Sequence, residues 1–183
     1  MSVSDADLIA RVLAREDHHA FAELVRRYQS PVRAFLTRMT RGDAHLGDDL
    51  AQETFLKAWR KLHTYRGTAP FSTWLFGIAF NEFRSVARQR KELALDDVDK
   101  EPAEAPPPAA DPQSGLRLDL TEALKRLHSN ERAAVLLCCQ NGLSHEEAAR
   151  ALDCPLGTVK TNVLRGKQKL KRWLQGYQHY ESA

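Results

Sequence analysis

Three cysteines in 183 residues are too few for a disulfide framework, and two of them, Cys138 and Cys139, are adjacent. No Cys-x-x-Cys occurs, and none of the seven histidines forms a His-x-x-x-His or comparable ligand pair, so neither a metal nor another cofactor is expected. Long apolar runs are missing as well. Stretches such as Ala133–Cys139 fall far short of the roughly 20 residues that a membrane span needs. The start, Met1-Ser2-Val3-Ser4-Asp5, has no basic-then-apolar leader, and the expected location is cytoplasmic, with no membrane insertion. No stretch alternates with period two over a strand's length. No nucleophile, metal or phosphate-loop constellation appears that would make the chain an enzyme.

Charge is present but unevenly placed. The formal net charge is only +3. Residues 1–91 hold 15 basic and 10 acidic side chains (net +5), residues 92–115 hold 1 and 7 (net −6), and residues 116–183 hold 11 and 7 (net +4). Two basic bodies flanking an acidic strip suggest two polyanion-binding domains joined by a segment that does not bind polyanions. That segment, residues 92–115, contains Pro102, Pro106, Pro107, Pro108 and Pro112 among alanines and acids, a composition that cannot bury enough apolar area to order itself. Read as a flexible linker, it spans about 75 Å when fully extended at roughly 3.3 Å per residue. This is about two turns of duplex at roughly 34 Å each, so the two bodies are expected to reach separate DNA sites.

The flanking segments read as all-α. Before the linker, apolar residues recur at helical spacing in four stretches, anchored by Leu8 to Leu13, Phe21 to Leu36, Ala51 to Leu62 and Phe71 to Val86. Ser4 with Asp7 gives an N-cap signal, Gly42 and Gly67 fall where helices should break, and Pro31 predicts a kink or a boundary inside the second stretch. After the linker, helices are predicted over Leu116–Leu127, Glu131–Gln140, Ser144–Leu152 and Thr158–Leu174.

The last two of these form a helix-turn-helix. Ser144 and Glu147 have capping-box spacing after the helix stop at Gly142, and Pro155 suits the first position of the following helix. The second helix of such a pair usually enters the major groove. A wheel at 100° per residue turns Val159, Val163, Gly166, Leu170, Trp173 and Leu174 inward. It turns Thr158, Thr161, Arg165, Gln168 and Arg172 outward, with Leu164 beside them. Lys160, Lys167 and Lys171 lie on one flank and Asn162 and Lys169 on the other, placed to meet the two phosphate walls of a groove. A merely solvated helix face does not explain why capping box, turn proline, apolar stripe and a cation-only strip share one register. Arg165 is the candidate for a bidentate guanine contact, and Thr161 and Leu164 are candidates to meet a thymine methyl.

In the first body, the third stretch divides into a core face (Ala51, Phe55, Ala58, Leu62) and an outer face (Asp49, Gln52, Glu53, Leu56, Arg60). An exposed leucine framed by acids and an amide suggests a protein-binding surface. Asp48 and Asp49 are explained as helix-start acids; they point about 100° apart and lack the company that metal-dependent chemistry requires. Tyr65 through Asn81 interleaves aromatics with polar groups and leads into Arg84, Arg88, Arg90 and Lys91. Aromatics plus cations are what an unstacked single strand needs. Most of these aromatics should pack in the core, whereas Tyr65, in the loop, is the one expected to be exposed.

Taken together, these residues resemble the extracytoplasmic-function class of bacterial sigma factors, and the resemblance covers nearly the whole chain. Ala20-Phe21-Ala22-Glu23-Leu24 through Tyr28 is similar to that family's region 2.1, Asp48–Trp59 to region 2.2, Tyr65–Asn81 to region 2.3, Glu82–Lys91 to region 2.4, and Gly142–Lys167 to region 4.2. The resemblance implies a region 2 domain over 1–91, a linker over 92–115 and a region 4 domain over 116–183. It implies that Asp48, Asp49, Gln52, Glu53 and Leu56 meet the beta-prime clamp of core RNA polymerase, with the beta flap as a further contact. Tyr65, Arg66, Phe71, Trp74, Asn81, Arg84 and Arg88 would bind the melted minus-10 element, where a flipped base is held. Thr158, Lys160, Thr161, Asn162, Leu164, Arg165, Lys167 and Lys169 would meet the minus-35 duplex. Asn162 stands where the family often has arginine, and Thr161 where it has serine. Control by a separate anti-sigma factor is also implied. The competing possibility is a stand-alone helix-turn-helix regulator, which would need a dimer interface and leaves the first ninety residues without a task.

Overall fold

The computed structural model describes residues 3–93 and 116–178, and among them there is no strand. Four helices form the first body: α1 (Asp5–Arg15), α2 (His18–Met39), α3 (Ala44–Lys61) and α4 (Phe71–Leu93), with a 3-10 turn over Leu62–Thr64. Four more form the second: α5 (Leu116–Arg126), α6 (Ser129–Val135), α7 (His145–Leu152) and α8 (Leu156–Gln178). The first two residues of the expected linker are helical, as the end of α4, and residues 94–115 lie outside the described residues.

Side chains fix the helix starts. Ser4 accepts from the Asp7 amide at 3.1 Å, Asp17 from Ala20 at 3.0 Å and Asp43 from Leu46 at 3.0 Å, each satisfying a donor that a helix leaves orphaned. The bond from Ala20 and the guanidinium of Arg11 hold the Asp17 carboxyl below its usual range. Between α2 and α3, Arg41 and Gly42 take positive φ, and the Gly42 amide donates to Thr37 O at 2.8 Å. Pro31 makes no boundary: α2 runs through it, held by Val32, Phe35 and Leu36, all fully buried.

Two glycines set how closely helices cross. A Cβ on Gly47 of α3 would lie 2.6 Å from Thr37 Oγ1 and 2.9 Å from Thr37 Cα on α2, and one on Gly166 of α8 would lie 2.6 Å from Val135 Cγ2 on α6. No side chain fits at either crossing without a shift of backbone or of a buried β-branched residue.

α6 passes into a π-helical turn over Leu136–Gln140, where an uninterrupted helix was expected. Arg132, 2% exposed, is the cation at the centre of the second body. It donates to Leu124 O, Leu127 O and Lys125 O at 2.8, 2.8 and 2.9 Å. Its fourth bond goes to Met39 O at 2.8 Å, at the end of α2 in the other body. Burial, with Arg41 nearby, pushes its pKa down to about 10, so it stays charged at neutral pH, and the negative ends of α5 and α2 compensate the charge.

The two bodies therefore touch, through α4 against α7 and through α2 against α5 and α6. A linker able to span separate DNA sites gives no hint of this contact. Among the described residues no helix is long and apolar enough to cross a membrane, and no cluster of three or more potential metal ligands occurs. Cys138, Cys139 and Cys154 are free, and burial pushes the Cys138 thiol up to about 11.

Candidate functional site

Three surfaces carry the residues singled out from the sequence. The first is a groove of about 690 Å³ between α2 and α3. His18 stacks on Trp59 with ring centroids 4.8 Å apart, and Phe21 meets the same indole edge-on at 4.9 Å. With Val25, Phe55 and Ala51 these rings make an apolar floor, and Leu56 stands at the lip, 52% exposed. Of the five expected protein-contact residues, Asp48, Gln52 and Leu56 line the groove, and Asp48 is ion-paired with Arg33. Asp49 and Glu53 lie outside its lining. Sequence reasoning missed His18, Phe21 and Arg33, which come from a neighbouring helix and share no local motif with α3.

The second surface is a crevice of about 510 Å³ at the start of α4, and it brings together Tyr65, Arg66, Trp74 and Asn81. Arg66 and Asn81 are exposed and Trp74 is half-buried. Two expectations need correction. Tyr65, expected to be exposed, is half-buried like Trp74: its hydroxyl donates to Ala69 O at 2.6 Å, and burial raises its pKa. Phe71 is 4% exposed and packs edge-on against Tyr28 and Tyr65, at 5.4 and 5.8 Å, so it shapes the wall from the core and cannot stack on a base. Arg84 and Arg88 are exposed further along α4 and line a separate crevice of about 690 Å³ with Thr158 and Asn162.

The third surface is the outer face of α8. The capping box forms as expected: the Glu147 amide donates to Ser144 Oγ at 3.2 Å, and the Ser144 amide to Glu147 Oε2 at 2.8 Å. Asp153 ends α7 in the left-handed conformation, and Pro155 stands just before the first residue of α8, one position earlier than expected. Val159, Val163, Gly166, Leu170 and Trp173 are buried, whereas Thr158, Lys160, Thr161, Leu164, Arg165 and Lys167 are exposed. Asn162 is half-buried. Lys169 differs from the other lysines of this helix, because its ammonium lies 3.0 Å from the buried Glu131 carboxylate on α6. That ion pair makes it a tie between helices, where a phosphate contact was expected.

The chain matches the family model for sigma-70 region 2 over residues 24–92 and that for sigma-70 region 4 over residues 117–170. It is 39% identical to the ECF RNA polymerase sigma factor SigE of Mycolicibacterium smegmatis over 83% of this chain, spanning 60% of that longer protein. It is 35% identical to the RNA polymerase sigma-H factor of Pseudomonas aeruginosa, over 93% of this chain and 94% of that one. Among solved structures it is similar to the sigma factor RpoE of Bartonella quintana in complex with the anti-sigma factor NepR. That likeness has a TM-score of 0.71 at 30% identity and covers 85% of this chain and 96% of the other. CnrH in complex with the cytosolic domain of CnrY is also similar, with a TM-score of 0.69 at 26% identity over 94% of this chain and 97% of the other. With both halves matched and relatives covered nearly end to end, the chain belongs to the sigma-70 family, as one of its extracytoplasmic-function members, and is a transcription-initiation factor, not an enzyme.

Proposed function

We propose that the α2–α3 groove seats the beta-prime clamp of core RNA polymerase, in the cytoplasm, while the two bodies grip one promoter at two places. The observation that carries this reading is Leu56, a half-exposed leucine at the lip of an aromatic-floored groove. An apolar anchor with a water-excluding surround is what a protein partner requires. Asp48 and Gln52 give the rim its polar contacts.

On the DNA side, Tyr65, Arg66, Trp74 and Asn81 form a pocket with one aromatic wall and one polar mouth, suited to a base extruded from the minus-10 strand. Arg84 and Arg88 extend it along the backbone. Leu164, Thr161 and Arg165 project from α8 toward base edges of the minus-35 duplex, with Lys160 and Lys167 to phosphates. The second body is proposed to rest on the beta flap. An anti-sigma factor would act by covering the groove, in line with the relatives solved with NepR and with CnrY. A stand-alone regulator would leave the groove without a partner.

Run-off transcription with purified core polymerase on a genomic promoter pool tests the proposal. Discrete starts that appear only when the chain is added are expected, and a chain that neither associates with core nor directs starts overturns it.

A further inference from the structure

From Phe71 to Lys91, α4 contains a single acid, Glu82, against the cations Arg84, Arg88, Arg90 and Lys91. That acid directly follows Asn81 of the base crevice and is 8% exposed. Lys57 of α3 donates to its Oε2 at 2.6 Å. The same ammonium lies 3.8 Å from Glu53, one turn back on α3, so two carboxylates share one cation. Lys61, one turn after Lys57, lines the crevice together with Ile78 and Asn81. At about 100° per residue, Trp74, Ile78, Asn81, Ser85 and Arg88 share one side of α4, and Glu82 borders that side toward α3. The Lys57–Glu82 pair therefore flanks the path of a strand that leaves the crevice along α4.

We propose that Glu82 is a positioning residue that withholds Lys57 from the minus-10 strand, so that an internal counter-ion sets the grip of α4 on single-stranded DNA. This rests on the minus-10 role assigned to α4 above. Phosphate contacts carry no sequence information. Withholding one lowers affinity for all strands alike and leaves the selectivity of the base crevice intact.

Burial is what gives Glu82 this hold. Its side chain is 11% exposed, so little water screens its attraction for the ammonium. Glu53 has no such grip: its side chain is 41% exposed, its oxygen is farther away, and a surface pair four residues apart on one helix contributes little. Once the charge on Glu82 is gone, the flexible four-carbon stem of Lys57 is free to swing its ammonium to a phosphate. A plain structural tie between α3 and α4 makes the opposite prediction, because its loss loosens the crevice and weakens the strand.

Glu82→Gln keeps the shape of the side chain and an acceptor for Lys57 but removes the charge. The test measures binding of a short, labelled, random-sequence single-stranded DNA to the full chain in complex with core polymerase, across a salt series, with core polymerase alone as the blank. One further phosphate contact steepens the salt slope by about 0.7, and tightens binding about eightfold at 50 mM salt and about threefold at 200 mM. Glu82→Gln should show this gain, and adding Lys57→Met to it should return slope and affinity to the wild-type values. Lys57→Met alone should keep the wild-type slope, because Lys57 makes no phosphate contact while Glu82 holds it. Unchanged or weaker binding by Glu82→Gln overturns the proposal, as does a gain that survives Lys57→Met. A slope shallower by about 0.7 in Lys57→Met alone overturns it too, even if circular dichroism shows that Glu82→Gln does not fold. Asn81→Ala separates the two readings. If it weakens the strand while Glu82→Gln changes nothing, this inference alone falls; if it has no effect, the minus-10 role of α4 falls and takes the inference with it.

Discussion

Leu56 on α3 and Leu164 on α8 are exposed to nearly the same extent, 52% and 58%, but their neighbours differ in kind. Around Leu56 stand Asp48, Gln52 and an aromatic floor of Phe21, Phe55 and Trp59. Around Leu164 stand Lys160, Arg165 and Lys167, with no acid between Thr158 and Arg172. An apolar group beside an apolar groove gains by burying area against another protein. An apolar group on a cationic helix face can meet a thymine methyl while its neighbours neutralise phosphates. An exposed leucine thus takes its meaning from what surrounds it, and the two surfaces should fail independently.

The largest expected effect separates them by unfolding one. Arg132→Met leaves the carbonyls of Leu124, Lys125, Leu127 and Met39 without their buried donor. The loss should be about 3–5 kcal/mol in the second body, within the range for breaking a buried charged network. Thermal unfolding followed by circular dichroism should then show an early transition, while core polymerase is still bound through α3.

A smaller effect, confined to the DNA face, is expected of Arg165→Ala. Losing a bidentate guanine contact should cost about 1–3 kcal/mol at particular minus-35 bases and leave other positions unaffected. Promoter selection from a randomised minus-35 library would reveal it, and an equal loss at every base would show that Arg165 only meets phosphate.

The smallest effects distinguish two lysines that look alike in sequence. Lys171→Ala should weaken all promoters alike and lower the salt slope by about 1. Lys169→Ala strips a partner from Glu131, which is 6% exposed. Its consequence should be a melting temperature lower by a few degrees, for a loss of about 1 kcal/mol, with little change in salt slope.

The outer face of α8 was legible in the sequence because one straight helix obeys one period, and a wheel then separates Val159 and Val163 from Thr161 and Arg165. The start of α4 was less so. Aromatics such as Phe71 and Tyr65 serve a core and a surface with the same side chain, and only the short return of the loop, which brings the Tyr65 hydroxyl to Ala69, decides between them. Lys169 lies on the right flank of the wheel, but its acid is on another helix, 38 residues away. Arg132 follows the same logic: a cation on the apolar side of α6 signals burial, and its acceptors are carbonyls that no residue pattern announces. The α4–α7 contact left no trace in the sequence, since Gly77 and Ala151 are unremarkable until their backbones are seen together.

The independence of the two faces is tested most directly by measuring core-polymerase association and start-site selection for Leu56→Arg and Leu164→Arg side by side. Leu56→Arg should lose association by about 30-fold or more, as for an interface residue worth at least 2 kcal/mol. Leu164→Arg should associate as the wild type does and lose selection of its promoters. Release of polymerase by both variants alike, or normal association of Leu56→Arg, would contradict the assignment of α3 to protein and α8 to DNA.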